Sequence, residues 1–272
     1  MVFTEVDTKK PELLRPVTTT KLTLLMEYDG TRYHGSQLQV NLPTIQGEVE
    51  AALWKLTGER TRVSTASRTD AGVHARGQII SFRTGSSLAP QTFVSGLNYY
   101  LPRDIAVKAA GTADASFDIR RQAVSREYNY YILNSSTRSP LREGFAYRVT
   151  GHLNIEAMNT ACRALMGRKD FASFATNIEK VVINTVRTMY KAEVRNEGEL
   201  VIFNMIANAF LPHQVRNTVG CLIRVGRGKM SADEFHSIIE TRKPGLAGPT
   251  APAHGLCLTQ VNYPCCSEGI LS

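Results

Sequence analysis

A single carboxylate, Asp70, stands in Ala66-Ser67-Arg68-Thr69-Asp70-Ala71-Gly72-Val73-His74-Ala75-Arg76-Gly77-Gln78, with arginines on both sides and apolar sequence resuming at Ile79-Ile80-Ser81-Phe82. A cation close to a carboxylate favours its ionised form. Held ionised at a strand end, such a group can attack as a nucleophile or take a proton as a base. The same residues also make an ordinary turn, since Asp bonds its own backbone and Gly accepts positive φ. A further cation, Arg216, lies far along the chain in Phe210-Leu211-Pro212-His213-Gln214-Val215-Arg216-Asn217, at the start of a helical pattern. It is a candidate ion-pair partner for Asp70, and a purely structural pair is the competing reading.

Arg126-Glu127-Tyr128-Asn129-Tyr130-Tyr131 brings tyrosines and a cation onto one β-prone run. Tyr128 offers an aromatic face to a nucleobase, an interaction worth roughly 1–3 kcal/mol per stacked base. Core packing of a half-buried strand is the better account of at least two of the three tyrosines. Arg120, Arg121 and Arg126 beside them suit phosphate contacts. No metal is expected, because His34, His74 and His213 share no H-E-x-x-H spacing and the cysteines no C-x-x-C spacing. Five cysteines, Cys162, Cys221, Cys257, Cys265 and Cys266, also argue against a disulfide framework, and Cys162 and Cys221 fall in helical patterns as core residues. Gly226-Arg227-Gly228-Lys229 lacks the spacing of a nucleotide-binding loop.

These groups need a scaffold, and the 272 residues, 43% hydrophobic and 21% charged, are those of a globular chain. The net charge of +8, from 32 Lys and Arg against 24 Asp and Glu, favours a polyanionic partner. No run of about 18 apolar residues is present, so no membrane span is expected. Residues 1–20 are polar and carry Pro11 and Pro16 without the apolar stretch of a secretory signal, which predicts a disordered leader on a cytoplasmic protein.

Alternation predicts a strand over Lys21–Tyr28, and Thr44 caps a helix through Ile45, Val49, Ala52, Leu53 and Leu56 that Gly58 stops. Strands over Arg62–Ser67 and Gln78–Arg83 flank the Asp70 loop, a helix starts at Pro90, and a strand follows over Ile105–Ala110. The order is β-α-β-β-α-β, the split β-α-β arrangement. The pattern then repeats: a strand over Glu127–Leu133, a helix from Asn154 to Gly167, a hairpin of Val186–Val194 and Leu200–Ala207, a helix from Pro212, one more opened by Ser231 and Glu234, and a strand over Leu256–Val261. The expected architecture is α+β: two ferredoxin-like halves, 21–111 and 112–264, whose antiparallel-rich sheets flank a central basic cleft, with a tail over 265–272.

Ser67-Arg68-Thr69-Asp70-Ala71-Gly72-Val73-His74-Ala75 resembles the signature of the tRNA pseudouridine synthase A family. Further matches run along the chain: Tyr28-Asp29-Gly30-Thr31 with Gly35 and Gln37, Thr44-Ile45-Gln46-Gly47-Glu48, Ser116-Phe117-Asp118, Arg126-Glu127-Tyr128, Asp170-Phe171, Val215-Arg216-Asn217 and Gly255-Leu256. The resemblance implies a cofactor-free isomerase, a homodimer, that converts uridine to pseudouridine in the anticodon stem-loop of tRNA at positions 38 to 40. It implies Asp70 as the catalytic carboxylate, Arg216 as its ion-pair partner, Tyr128 against the target base and Arg68 in extruding the nucleotide, with Leu256 and Arg126 also on the substrate side. The rival from another class is a non-catalytic RNA-binding or RNA-folding module. Two departures from the family pattern stand out, Ser36 in place of an aromatic residue and Lys169 in place of His, and neither falls on the proposed catalytic residues. For His74 a supporting hydrogen bond is expected.

Overall fold

The computed structural model describes residues 19–176 and 184–264. Residues 1–18 of the expected leader lie outside them, as do Cys265, Cys266 and the tail 265–272. The chain is a mixed α+β fold built on one large, mostly antiparallel sheet. Its elements are β1 (Thr20–Tyr28), α1 (Ile45–Thr57), β2 (Ser64–Thr65), β3 (His74–Thr84), α2 (Pro90–Tyr100), β4 (Ile105–Ala113), β5 (Ser125–Leu133), β6 (Tyr147–Arg148), α3 (Ile155–Arg163), β7 (Gly167–Asp170), β8 (Val186–Glu197), β9 (Leu200–Ala207), α4 (Gln214–Gly226), α5 (Ala232–Thr241) and β10 (Leu256–Asn262).

The helix ends follow local chemistry. Thr44 caps α1 by accepting from the Gly47 amide, and Gly58 ends it at φ +74. Asn154 accepts from the Ala157 amide to open α3, and Ser231 with Glu234 closes a reciprocal capping box on α5.

The strand order is β4-β1-β3-β10-β5-β9-β8-β7, with β2 paired to β3 and β6 to β5 beside that path. Strand β3 shares one edge between two partners. Its later residues meet β2 (Ser64↔Ser81, Thr65↔Ile80), and its first residues run parallel to β10 (Cys257↔His74, Leu258↔Ala75). That sharing shortens the strand expected over Arg62–Ser67 to two residues, because beyond Thr65 the partner edge belongs to β10. Gly77 permits the close approach, since a Cβ there would lie 2.3 Å from the Thr259 carbonyl oxygen. One buried cluster runs from Leu24, Ile80 and Phe93 to Tyr130, Phe203 and Leu222, so the whole sheet shares a core.

Two other expectations change. Helix α3 stops at Arg163 rather than Gly167, because Gly167 takes φ +84 and turns the chain into β7, which pairs with β8. Strand β3 begins at His74, four residues before the expected Gln78, so His74 is a strand residue and not a loop residue.

Candidate active site

The Asp70 loop leaves β2 and enters β3 at the point where β2 and β10 part along the β3 edge. The Val73 amide donates to the Asp70 carbonyl at 3.1 Å and closes a turn, in which Gly72 sits at φ +76. Neighbouring chain then grips the loop from two sides. Ser36 donates its amide to the Thr69 carbonyl at 3.0 Å and accepts the Thr69 amide at its hydroxyl at 2.9 Å. Ser36 therefore acts one residue from Asp70. Gln78, fully buried, donates to the Ser67 carbonyl at 2.7 Å and to the Tyr28 hydroxyl at 3.2 Å. Tyr28 pairs with the Thr69 hydroxyl at 2.8 Å, and burial pushes its phenol up to about 12, so it stays protonated.

Arg216 meets Asp70 as expected, with Nη1 3.3 Å from Oδ2, although 146 positions separate them. Arg216 Nε donates to the Ala251 carbonyl at 2.8 Å, which fixes the guanidinium. A second partner was not expected: His213 Nε2 lies 3.3 Å from the same Oδ2. His213 precedes α4 with φ 60 and ψ 3, a left-handed conformation that costs a residue with a side chain roughly 1–3 kcal/mol. The signal for it is spacing, since His213 and Arg216 stand three residues apart at a helix start and share a face.

Asp70, His213 and Arg216 line a cavity of about 470 Å³ together with Ser67, Arg68, Arg120, Arg126, Tyr128, Phe210 and Leu256. That volume falls within the roughly 300–1,000 Å³ of small-molecule sites. Tyr128 is 5% exposed; its ring meets Phe210 edge-on at 5.2 Å and its hydroxyl pairs with Ser67 Oγ at 3.0 Å. Burial raises its phenol well above the usual tyrosine range, so it lines the cavity as a neutral group. Arg68 is exposed at the rim and makes no ion pair among the described residues. Leu256 supplies apolar wall.

Arg126 is placed differently from a phosphate contact. It is 8% exposed, and its terminal nitrogens donate to the carbonyls of Ala123 (3.1 Å), Asn208 (2.7 Å), Arg120 (2.8 Å) and Ala66 (3.4 Å). Burial pulls its guanidinium below the ordinary arginine value, in line with a cation that has no carboxylate partner. Lys169 lies in β7, outside the cavity lining.

His74 bridges two segments. Its Nδ1 accepts the Gly30 amide at 3.2 Å, and its Nε2 lies 3.1 Å from the His254 carbonyl. A second cavity of about 450 Å³ lies beside it, lined by Arg76, Tyr131 and Phe145 among others. Its three acids each have partners, Glu27 in Lys108, Asp29 in Thr31 and His74, and Asp104 in Arg32 and Tyr33. In the Asp70 cavity the carboxylate and the two groups that converge on it, Arg216 and His213, all line the same space, together with the buried Tyr128 ring.

Cys162 and Cys221 are buried, and burial pushes both thiols up to about 12; Cys257 in β10 is raised to about 11. Protonated thiols of this kind are unreactive near neutral pH. Among the described residues no group of three or more His, Cys, Asp or Glu is placed to hold a metal ion, and no helix is long and apolar enough to cross a membrane.

The sequence model of a family described as tRNA pseudouridine synthase matches residues 24–120 and 161–264. The chain is 44% identical over 247 residues to the tRNA pseudouridine synthase A of Chloroflexus aurantiacus, covering 89% of this chain and 88% of that one. It is 45% identical over 249 residues to the protein of the same name from a Roseiflexus species (89% and 90% covered), and 43% identical over 246 residues to that of Pelobacter propionicus (90% and 99% covered). Asp70, Tyr128 and Arg216 lie at positions 70, 128 and 216, so the family match spans the first and last of them and passes over the strand that carries Tyr128.

Proposed function

The chain belongs to the tRNA pseudouridine synthase family and is an isomerase that converts uridine to pseudouridine in tRNA, and from that premise we propose that Asp70 is its catalytic carboxylate. The carrying observation is the Asp70 side chain in a cavity of about 470 Å³, held by Arg216 and His213 at 3.3 Å each. The reaction breaks the N1–C1′ glycosidic bond, turns the uracil and rejoins it to C1′ through C5, which gives up its proton while N1 gains one. An ionised carboxylate serves this chemistry by attacking the sugar, by adding to the ring or by taking the C5 proton. The cavity walls keep the detached base from solvent during the turn.

The target is a uridine of the anticodon stem-loop, at positions 38 to 40. Tyr128 backs the extruded base and Leu256 closes its apolar side. Arg68 at the rim assists extrusion, which costs a few kcal/mol and is offset by phosphate contacts over a surface of net charge +8. Arg126 serves this site by bracing its walls. The enzyme works in the cytoplasm, where its tRNA is, as a homodimer and without a cofactor. Two ferredoxin-like halves, 21–111 and 112–264, frame the cleft. The strand orders β4-β1-β3 with β2 on the β3 edge away from β1, and β10-β5-β9-β8, support that division.

The test is Asp70→Asn, assayed on unmodified tRNA with the modified positions mapped and tRNA affinity measured in parallel. The variant is expected to form no pseudouridine while binding tRNA almost as well as the wild type. Full turnover by Asp70→Asn would sink the catalytic assignment, and modification outside positions 38 to 40 would sink the assignment of the target.

A further inference from the structure

We infer that His213 is a positioning residue for Asp70, which with Arg216 holds Oδ2 and leaves Oδ1 as the reacting oxygen. The inference rests on Asp70 being the catalytic carboxylate. Both donors meet the same atom: His213 Nε2 and Arg216 Nη1 each lie 3.3 Å from Oδ2. Oδ1 has no partner among the described residues. The carboxylate is thus anchored on one oxygen and open on the other, as a group that must attack or take a proton requires.

Thr176 fixes the imidazole. Its hydroxyl lies 2.5 Å from His213 Nδ1. A bare Nε2 would set its lone pair against those of the carboxylate, so Nε2 carries the hydrogen. A neutral ring then accepts the Thr176 hydroxyl at Nδ1, and a charged ring donates to it; in both states the protonated Nε2 stays 3.3 Å from Oδ2, a close electrostatic contact rather than an aligned hydrogen bond. The backbone is clamped to match. The Thr176 amide donates to the Pro212 carbonyl at 3.3 Å, and the Gln214 side chain accepts the Leu211 amide at 2.8 Å. Packing does not explain the arrangement, because the His213 side chain is one-third exposed and lines the cavity while its backbone is held left-handed. Such a residue is kept for what its ring reaches.

Three substitutions separate the donor from the backbone. Asn accepts the left-handed conformation readily but is too short to bring a donor to Oδ2. Gln places an amide N–H near the position of Nε2, and Ala removes the ring. Single-turnover rates at saturating tRNA are measured for His213→Asn, His213→Ala and His213→Gln, with tRNA affinity and thermal midpoint recorded for each. We expect His213→Asn and His213→Ala to lose about 10- to 100-fold in rate, the worth of one close polar contact to a charged group. Affinity and midpoint stay near wild type, and His213→Gln recovers most of the rate that His213→Asn loses. Wild-type rates in His213→Asn and His213→Ala would overturn the inference, as would a His213→Gln rate no better than that of His213→Asn. Asp70→Asn, run alongside, distinguishes the two readings: an inactive Asp70→Asn with unimpaired His213 variants refutes the role of His213 alone, whereas an active Asp70→Asn refutes the catalytic role of Asp70.

Discussion

Replacing Arg126 by Met tests whether the buried guanidinium braces the site. Its two terminal nitrogens carry four hydrogens and meet four backbone carbonyls, those of Ala66, Arg120, Ala123 and Asn208. Those carbonyls lie on the Asp70 loop, on the connection before β5 and just past β9, so one side chain ties together three segments of the cavity wall. Met fills much of the volume but donates nothing. Three of the bonds run from 2.7 to 3.1 Å, and each carbonyl left without a donor costs about 1 kcal/mol net. The fourth, at 3.4 Å, contributes little. Against that sum of about 3 kcal/mol stands the relief of no longer burying a cation without a carboxylate partner, held to about 1 kcal/mol because four carbonyls solvate the guanidinium in place of water. The expected loss is about 2 kcal/mol in urea unfolding, read as a lower midpoint at unchanged slope. Arg126→Lys should behave similarly, because one ammonium has three donors and cannot span the fork. A loss below about 0.5 kcal/mol in both variants would refute the bracing role and return Arg126 to the substrate side.

Gly77→Ala should weaken the seam between β3 and β10, because its Cβ would lie 2.3 Å from the Thr259 carbonyl oxygen, an atom held by the strand itself. Overpacking of this kind costs about 3 kcal/mol, and thermal unfolding that leaves the midpoint unmoved would contradict it. His254 gives a pH dependence. Burial first, and then repulsion from His74, hold its imidazole below the ordinary histidine value. The unfolded chain therefore binds the proton more readily, so stability is greatest above about pH 6.5 and falls as the pH drops toward the folded value. The urea midpoint should decline from pH 7.5 to pH 5.5, and His254→Asn should decline less; equal declines would rule the histidine out.

Capping and spacing are enough to place most elements. Thr44 and Gly58 bound α1, Ser231 and Glu234 open α5, and the alternation of Leu22, Leu24 and Met26 marks β1. Pairing is less legible. The truncation of β2 and the early start of β3 depend on β10, which pairs its Cys257 with His74 from the far end of the chain and competes for the same edge. The Asp70–Arg216 pair can be anticipated because charge and helix start are both visible in the sequence. His213 escapes notice, since a histidine read for metal spacing shows nothing, and its left-handed backbone is set by Thr176 and Gln214. Arg126 escapes for the opposite reason: its charge suggests phosphate, and only burial shows that its hydrogens are already taken.

The parallel pairing of β3 and β10 explains why groups so distant in sequence meet at one cavity. Parallel strands start at the same end of a sheet, so the segments that lead into them must converge there. The segment leading into β3 is the Asp70 loop. The segment leading into β10 holds Ala251, whose carbonyl accepts Arg216 Nε at 2.8 Å and whose amide donates to the Arg216 carbonyl at 3.1 Å. His74, the first residue of β3, reaches across to the His254 carbonyl and joins the two approaches. An antiparallel β10 would deliver Ala251 to the far end of β3 and leave Asp70 without its arginine. The strand direction at a seam of two paired positions, Cys257↔His74 and Leu258↔Ala75, is therefore what assembles the carboxylate and its cation.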